Sequence, residues 1–266
     1  LAHWESERDR GQPHAINKGL RRASGEIVAY INSDDQYLPG AFQTVAEAFA
    51  EADARGKPID WVSGEALHVK PDGSEEYVWC PRPPPQEAWR IVAVPWGVPQ
   101  VACFWRRELF DRFGLFREDL QFAFDTEFMI RLVLNGCKPH FVRQTLGQRL
   151  LHDACKTVAA PGGFVEDIRA LTTLHAPCLE PSDRNKAYFI AERNIIGYRF
   201  RQGRRPEAFA RLLPLFLRYP IKTAGAILHK AGLDRALLNR VIQRIPGLRR
   251  CAYGIQRLRL QYPRER

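Results

Sequence analysis

An uninterrupted apolar run from Ile27 to Ile31 leads directly into the polar turn Asn32-Ser33-Asp34-Asp35. A continuous apolar run of this length predicts a strand that is buried on both faces of a parallel sheet. Apolar residues recur at helical spacing on both sides of it and predict two flanking helices, marked by Ile16, Leu20 and Ala23 and then by Phe42, Val45, Phe49 and Ala52. This order of helix, strand, acidic turn and helix predicts an α/β fold.

Strands and helices continue to alternate up to about Thr157. The triplet Pro71-Asp72-Gly73 predicts a hairpin turn between two strands, at Trp61 to Lys70 and Ser74 to Cys80. We also expect a strand at Val101 to Trp105, and helices at Arg107 to Phe113 and Asp125 to Asn135, the second capped by Asp125. The chain is therefore expected to divide into a domain over 1–157 and a helical region over 158–266.

The C-terminal region is strongly basic. Residues 199–266 contain 17 basic and three acidic residues, although the whole chain of 266 residues carries a net charge of only +10. Helices are expected at Asn185 to Phe200, at Pro206 to Tyr219 with Pro214 and Pro220 limiting it, and over 233–260. Their amphipathic pattern fits binding to an anionic membrane surface, and equally packing of the apolar stripe on the body of the protein. Nucleic-acid binding is disfavoured because no nucleic-acid module accompanies the basic residues.

Composition excludes several classes of protein. A 45% hydrophobic content excludes disordered and fibrous chains. The longest uncharged stretch, Ile91 to Trp105, is too short and too rich in proline to cross a bilayer. The six cysteines form no C-x-x-C pair, so neither a zinc site nor a disulfide framework is indicated. A reducing cytoplasm is the expected location.

Two adjacent carboxylates, Asp34 and Asp35, follow the predicted strand at its carboxyl end, where open α/β sheets bind ligands. Paired carboxylates suit Mg²⁺ or Mn²⁺, which need one or two of them when substrate phosphates complete the coordination shell. Asn, Ser and Asp also favour ordinary turns. From these four residues alone, a metal site and a plain strand-ending turn both remain open.

Three ordered blocks of sequence resemble a known family. The first block comprises Trp4 to Gln12, Ala15 to Leu20 and Gly25 to Asp35, with Pro39-Gly40-Ala41 after it. The second comprises Gln100 to Arg106, Gly114 to Phe116 and Asp125 to Leu132, and the third is His152 to Thr157. Together they resemble the family 2 glycosyltransferases of the GT-A fold over roughly residues 4–157. The resemblance implies a Rossmann-like mixed sheet flanked by helices.

On the donor side, the resemblance implies a divalent metal, Mn²⁺ or Mg²⁺, and a nucleotide-sugar. Asp35 would hold the metal, Asp34 would contact the donor ribose or share the metal, and His152 would approach the metal or the diphosphate. Lys156 would donate to the phosphates. Four further residues match the segment beneath the nucleotide: Asp9, Gly11, Asn17 and Lys18. Of these, Asn17 and Lys18 fit exposed helix positions equally well.

On the acceptor side, the resemblance implies that Asp125 is the general base, with Glu127 as the backup. We expect the position of Asp125 at a helix start to favour its carboxylate form. Gln100, Trp105 and Arg106 would bind the acceptor, although a buried or rim position is an ordinary alternative for an aromatic residue such as Trp105 or Trp96.

The family begins with two strands that grip the base and the ribose, and residue 1 falls just after the point where they should end. We therefore expect an N-terminally incomplete fold with an open sheet edge. The fragment alone can then be inactive even if the parent enzyme is active.

The expected function is metal-dependent, inverting transfer of a sugar from a nucleotide-sugar to a glycan or lipid-linked acceptor, in cell-envelope polysaccharide synthesis at the inner face of the membrane. The alternative from another class is a non-catalytic remnant that binds a membrane surface or a partner. A nucleotidyltransferase is the runner-up among enzymes, because it also places aspartates at the edge of an α/β sheet.

Overall fold

The computed structural model describes residues 3–94, 96–160, 163–220, 222–224 and 226, except the side chains of residues 157 and 158. The strands are β1 (Ile27–Val28), β2 (Gln36–Tyr37), β3 (Trp61–Val69), β4 (Glu75–Trp79), β5 (Cys103–Arg106) and β6 (Pro139–Leu150). The helices of the first half are α1 (Gln12–Arg22), α2 (Ala41–Ala54), α3 (Ala88–Ala93), α4 (Glu108–Phe113) and α5 (Phe124–Leu134). Those that follow are α6 (Lys156–Ala159), α7 (Gly163–His175), α8 (Pro181–Arg201) and α9 (Arg205–Arg218).

The strands form one mixed sheet in the order β1-β5-β3-β6-β2, with β4 paired to β3 outside this path. The pair β3–β6 is parallel, and the other pairs are antiparallel. The predicted hairpin is confirmed, since β3 and β4 are joined through a turn in which Gly73 adopts a φ of 81°. A mixed sheet flanked by helices confirms the α/β class and the architecture that the resemblance implies.

The apolar run at Ile27 to Ile31 differs from its prediction. Only Ile27 and Val28 form a strand, and it pairs antiparallel with β5 at one end of the strand order. The run is nevertheless covered on both faces: Ile27, Ala29 and Ile31 pack against one apolar cluster, and Val28 and Tyr30 belong to or contact the other. Burial on both faces, rather than parallel pairing, therefore accounts for the unbroken apolar sequence.

Two apolar layers enclose the sheet. On one face, α2 packs Val45 and Phe49 against Val62 and Leu146 of the sheet. The other face carries a larger cluster, built from the sheet and from helices α3, α4, α5, α7 and α8. Each fully buried side chain of this size stabilises the fold by about 1.5–3 kcal/mol. The expected stripe of α2 is confirmed at Val45 and Phe49, whereas Phe42 is exposed and forms T-shaped pairs with Tyr37 and Phe104.

The chain divides into two compact units, Leu1–Ile195 and Ile196–Arg266. The first unit therefore extends beyond the expected end near Thr157. The reason is that α7 and the first part of α8 contribute Ile168, Leu171 and Ala187 to the larger apolar cluster, so they fold with the sheet.

In the second unit, α9 continues through Pro214, which was expected to limit it. A proline within a helix removes one backbone hydrogen bond but does not have to end the helix. Ala208 and Leu215 are the buried side chains of α9. The helices expected over 233–260 lie outside the described residues. None of the helices in the described part of the chain has both the length and the apolar character needed to cross a bilayer.

Candidate active site

A cavity of about 600 Å³ lies within the first unit, beside the acidic turn that follows β1. Four of the segments that line it are the turn after β1, the segment before β5, the start of α5 and the segment that leads into α6. These segments place Asp34, Gln100, Asp125 and Lys156 around one space, although they are far apart in the sequence. The topology thus gathers predicted donor-side, acceptor-side and base residues at a single cavity.

Asp34 lies in a group with two side chains from the segment after β6. Its Oδ2 is 2.9 Å from Nε2 of His152, and the ligand atoms of Asp34, His152 and Cys155 all lie within 4.8 Å of one another. The hydrogen bond with His152 lowers the pKa of Asp34 below its ordinary value. The thiol of Cys155 donates to the carbonyl of Leu150 at 3.2 Å, so its sulfur has a fixed position beside the pair.

Both carboxylate oxygens of Asp35 accept hydrogen bonds from neighbouring protein groups. Its Oδ2 accepts a hydrogen bond from Nδ2 of Asn32 at 2.9 Å, and its Oδ1 accepts one from the backbone N–H of Leu150 at 3.2 Å. Asn32 in turn accepts a hydrogen bond from Gln12 at 2.7 Å. Burial raises the pKa of Asp35. Asp35, to which the resemblance gave the main role in holding a metal, thus anchors the acidic turn to β6 at the cavity wall.

The group around Asp34 fits a divalent cation. It combines a carboxylate oxygen, an imidazole nitrogen and a sulfur at short mutual distances. Carboxylate and imidazole are common ligands of divalent metals, and substrate phosphates can complete such a shell. The residues that would hold a metal are therefore Asp34, His152 and Cys155, and the last of these was absent from the sequence prediction.

Asp125 lies at the start of α5 and lines the cavity. Ala123, rather than Asp125, is the N-cap of this helix, so Asp125 occupies its first turn. Its Oδ1 accepts hydrogen bonds from the backbone N–H of Thr126 at 2.6 Å and from the hydroxyl of Thr126 at 3.3 Å. We expected the helix start to favour the carboxylate form, but burial outweighs these bonds and raises the pKa of Asp125.

Glu127, the alternative candidate for the general base, stabilises the packing of α5. It is only 2% exposed. Its carboxylate pairs with Arg131 at 2.7 Å and with Nε2 of His175 at 3.1 Å. Burial raises the pKa of Glu127, but the hydrogen bonds from His175 and Arg131 outweigh burial and lower it overall. Since Arg131 also donates to the carbonyl of Leu115, this group ties α5 to α7 and to the segment after α4.

Asp167 of α7 supports the start of α5, and sequence reasoning missed it. Its Oδ2 accepts hydrogen bonds from the backbone N–H groups of Phe122 and Ala123, at 2.8 and 2.9 Å. These donors directly precede α5 and have no partner within the helix. An acidic residue in the first part of a later helix gives no sequence signal for this role, because the contact depends on how α7 packs.

Lys156 also lines the cavity, as predicted for a donor-binding residue. Its Nζ donates to the carbonyl of Gln121 and lies 4.9 Å from the ring centre of Phe122. Burial lowers the pKa of Lys156. The ammonium group therefore lies close to the cavity, on the same side as the start of α5.

Of the three predicted acceptor residues, the cavity includes Gln100 alone. Its amide donates to the carbonyl of Tyr30 at 2.8 Å. Trp105 is 1% exposed in the apolar core, where its ring stacks on Tyr30. The guanidinium of Arg106 pairs with Asp53 at 2.6 Å, at the end of α2. Trp105 and Arg106 alternate along β5 into the two layers that cover the sheet, so neither reaches the cavity.

The four residues expected beneath the nucleotide do not line the cavity. Asn17 is 1% exposed and exchanges hydrogen bonds with the backbone of Phe116, accepting at 3.1 Å and donating at 2.8 Å. Lys18 pairs with Asp9 at 2.9 Å, and with other acidic residues of the N-terminal segment. Asn17 therefore fixes the segment after α4, and Lys18 fixes the segment before α1.

Gly11 lies next to the cavity residue Gln12. It precedes α1 with a φ of 131°, a conformation that side chains rarely adopt. A Cβ atom here would lie 2.6 Å from Oε1 of Gln121. Gly11 thus allows α1 to approach the loop that carries Gln121.

A second wall of the cavity includes His68 of β3, Trp79 of β4 and Arg149 of β6, none of which was predicted. Trp96, which the sequence analysis considered as an aromatic residue near the acceptor, also lies in this wall. His68 is 1% exposed, and its ring stacks on Tyr77 with centroids 4.4 Å apart. Burial lowers the pKa of His68 to about 4, so it is neutral at physiological pH. Residues of a hairpin carry no motif, and only the pairing of β3 with β6 brings them here.

Comparison with known proteins relates the N-terminal part of this chain to a family. The sequence model described as Glycosyl transferase family 2 matches residues 4–112. Two relatives, each named an uncharacterized glycosyltransferase, come from the CDC 1551 and H37Rv strains of Mycobacterium tuberculosis. Each is 29% identical over 149 residues, which is 55% of this chain and 53% of the relative. The chain thus spans about half the length of the curated relatives it matches.

Similar solved structures include that of S. aureus TarS 1-349, which is 18% identical, with a TM-score of 0.48 over 82% of this chain and 64% of that chain. The same protein in complex with UDP gives 18% identity and a TM-score of 0.47, over 80% and 62% of the two chains. The family match covers the acidic turn and the segment before β5, which carries Gln100. Over residues 4–112, the chain is therefore similar in sequence to the family 2 glycosyltransferases.

Proposed function

We propose that this chain carries the catalytic site of a glycosyltransferase that moves a sugar from a nucleotide-diphosphate sugar to a glycan or lipid-linked acceptor, with inversion. The match to the family's sequence model and the names of the two relatives support glycosyl transfer in general. The observation that carries the finer proposal is that Asp34, Asp125 and Lys156 line one cavity.

Asp125 is the proposed general base. It would accept the proton of an acceptor hydroxyl as that oxygen attacks the anomeric carbon, and inversion follows from a single displacement. Burial raises the pKa of Asp125, which makes its carboxylate a stronger base than an exposed aspartate. The side chain lies at a cavity wall and accepts hydrogen bonds only on Oδ1 among the contacts described above, so Oδ2 is the atom that we assign to the proton.

The donor diphosphate is proposed to lie near Asp34, His152 and Lys156. Lys156 provides a cation for the phosphates, and Arg149 adds a second positive charge to the same cavity. A divalent metal, when bound at Asp34 and His152, would neutralise charge on the leaving diphosphate. The segment from His152 to Lys156 would then hold the pyrophosphate end of the donor, while Asp125 would contact the acceptor hydroxyl.

The acceptor is proposed to enter along Gln100 and the aromatic wall formed by Trp79 and Trp96. Aromatic faces beside polar groups suit the apolar and hydroxyl surfaces of a sugar ring.

We further propose that the protein acts in the cytoplasm at the inner face of a membrane. The support for this location is α9, which exposes four large apolar side chains: Phe209, Leu213, Phe216 and Leu217.

The variant Asp125→Asn tests the proposal in the protein encoded by the complete reading frame that includes this chain. We expect the turnover of sugar transfer to fall by about 100-fold or more, because the amide cannot accept the proton. Donor binding, followed by thermal shift with UDP, GDP and dTDP sugars, should be retained. Asp111→Asn is the matched control, since Asp111 is an exposed carboxylate of α4 that pairs with Arg107.

Two results would contradict these roles. Unchanged transfer by Asp125→Asn would remove Asp125 as the base. Transfer that is lost equally in Asp111→Asn would show that the loss reflects folding rather than chemistry.

A further inference from the structure

We infer that Cys155 is a metal ligand, and that the group of Asp34, His152 and Cys155 binds a thiophilic divalent cation of the Zn²⁺ class. This inference concerns the cavity of the proposed function and rests on it for its biological meaning, but the metal preference can be measured without any sugar transfer. It changes the expected cation from the Mg²⁺ or Mn²⁺ that two aspartates would favour.

The donor set carries the argument. Mg²⁺ prefers an all-oxygen shell, whereas Zn²⁺ is commonly bound by combinations of thiolate, imidazole and carboxylate. Asp34, His152 and Cys155 provide one ligand of each kind within 4.8 Å. Asp35, which would complete an all-oxygen pair, has its two oxygens engaged by Asn32 and Leu150.

The distances allow such a site with small movements. Two ligands of a tetrahedral Zn²⁺, each 2.0–2.3 Å from the ion, lie about 3.5 Å apart. Asp34 and His152 are now 2.9 Å apart and would separate slightly. The other ligand atoms, at no more than 4.8 Å, would close by about an ångström. The side chains of Asp34 and His152 are both partly exposed, so they have room to rotate.

Charge and position agree with this assignment. On binding, the thiol proton that Cys155 now donates to the carbonyl of Leu150 would pass to solvent, and the thiolate would bond to the metal. A thiolate and the Asp34 carboxylate together balance the charge of a divalent cation. Three protein ligands would leave one position of a four-coordinate ion for water or substrate, as in catalytic zinc sites.

Cobalt provides the direct test, because a thiolate bonded to Co²⁺ gives a charge-transfer absorption that oxygen and nitrogen ligands do not. The full chain, freed of metal with a chelator, is titrated with Co²⁺ in the absence of nucleotide. We expect this absorption to develop, and Zn²⁺ to abolish it by displacement. Mg²⁺ at the same concentration should leave it unchanged.

The Cys155→Ser variant should not develop the absorption. Its affinity for Zn²⁺ should fall by more than about 100-fold, because loss of a direct ligand weakens metal binding more than loss of an outer-shell partner does. Cys137→Ser is the matched control, because Cys137 is equally buried and lies outside the group. Retention of the absorption in Cys155→Ser, or Co²⁺ binding without it in the parent chain, would overturn the inference.

A second variant decides the matter if Cys155→Ser does not fold. His152→Gln alters a partly exposed side chain and should weaken Co²⁺ binding, and unchanged binding would overturn the inference. The proposed function is judged separately. Normal sugar transfer without thiolate ligation counts against this inference alone, and a normal Co²⁺ spectrum without transfer counts against the proposed function alone.

Discussion

Adjacent aspartates in this chain have different surroundings. Asp34 is exposed and meets His152, whereas Asp35 is turned into the wall, where Asn32 and Leu150 bond both of its oxygens. The pKa of Asp34 is lowered by its hydrogen bond with His152, and the pKa of Asp35 is raised by burial. The sequence predicted that the pair follows a strand, and both residues line the cavity, but it could not show which oxygen faces the cavity, because that depends on the turn and on β6.

The raised pKa of Asp125 predicts the pH dependence of transfer. A protonated carboxyl cannot accept a proton, so kcat/KM should fall as the pH falls through the pKa of Asp125. Because burial raises that pKa, the fall should occur above the pH at which an exposed aspartate titrates. Arg149 opposes this shift in part. The pH profile of kcat/KM is the measurement.

Two variants identify the group that titrates. Asp125→Glu should move the acidic limb of the profile, and Asp35→Asn should lower the rate without moving it. A limb that stays in place in Asp125→Glu would contradict the assignment.

The position of Asp125 in the site depends on how helix α7 holds helix α5. The start of α5 carries Asp125, and α7 supports it twice: Asp167 bonds the backbone before α5, and His175 reaches Glu127 within it. Glu127 also pairs with Arg131 at 2.7 Å. Helical periodicity predicted α5 as an element, but its partners in α7 are separated from it by β6 and could be found only in the folded chain.

Glu127→Gln should lower the free energy of unfolding by about 3 kcal/mol at neutral pH, because it leaves Arg131 without its charged partner in a buried setting. The pKa of Glu127 is lowered, so its stabilisation is complete above the ordinary pKa of glutamate and is lost as the pH falls through the lowered value. Denaturant unfolding of both proteins, at neutral and acidic pH, measures this difference.

Glu108→Gln is the control for that experiment, since Glu108 is an exposed carboxylate on the neighbouring α4. It should change the free energy of unfolding by no more than about 0.5 kcal/mol. An equal loss in both variants would mean that the buried pairing of Glu127 contributes nothing beyond surface charge.

Helix α9 supports a prediction about membranes. Its exposed apolar side chains recur at helical spacing, and Arg205, Arg211 and Arg218 accompany them in the same helix. Leu217→Glu should reduce sedimentation of the protein with vesicles that contain anionic lipid, because a carboxylate opposes insertion into the headgroup region. Val78→Glu, at an exposed apolar position of β4, should leave sedimentation unchanged. Equal binding of Leu217→Glu and the parent protein would contradict membrane contact through α9.

For the whole molecule, local signals were sufficient where packing agreed with them. The hairpin, the α/β class and the helix after Gly40 follow from turn residues and apolar spacing, and the structure confirms them. The resemblance implied binding roles for Trp105 and Asn17, with a buried or rim position as the alternative for Trp105 and an exposed helix position for Asn17, and the structure buries both side chains. A motif contains residues that support the fold as well as residues that act in the site. Burial in the folded chain distinguishes the two kinds.

The contact between Asp167 and the start of α5 has a practical consequence for protein engineering. The segment that the family's sequence model recognises stops at residue 112, before Asp125, His152 and Asp167. A graft of that segment onto another scaffold would carry the acidic turn but leave behind the proposed base and the helix that steadies it. Chimeras between relatives should therefore exchange the chain as far as the end of α7.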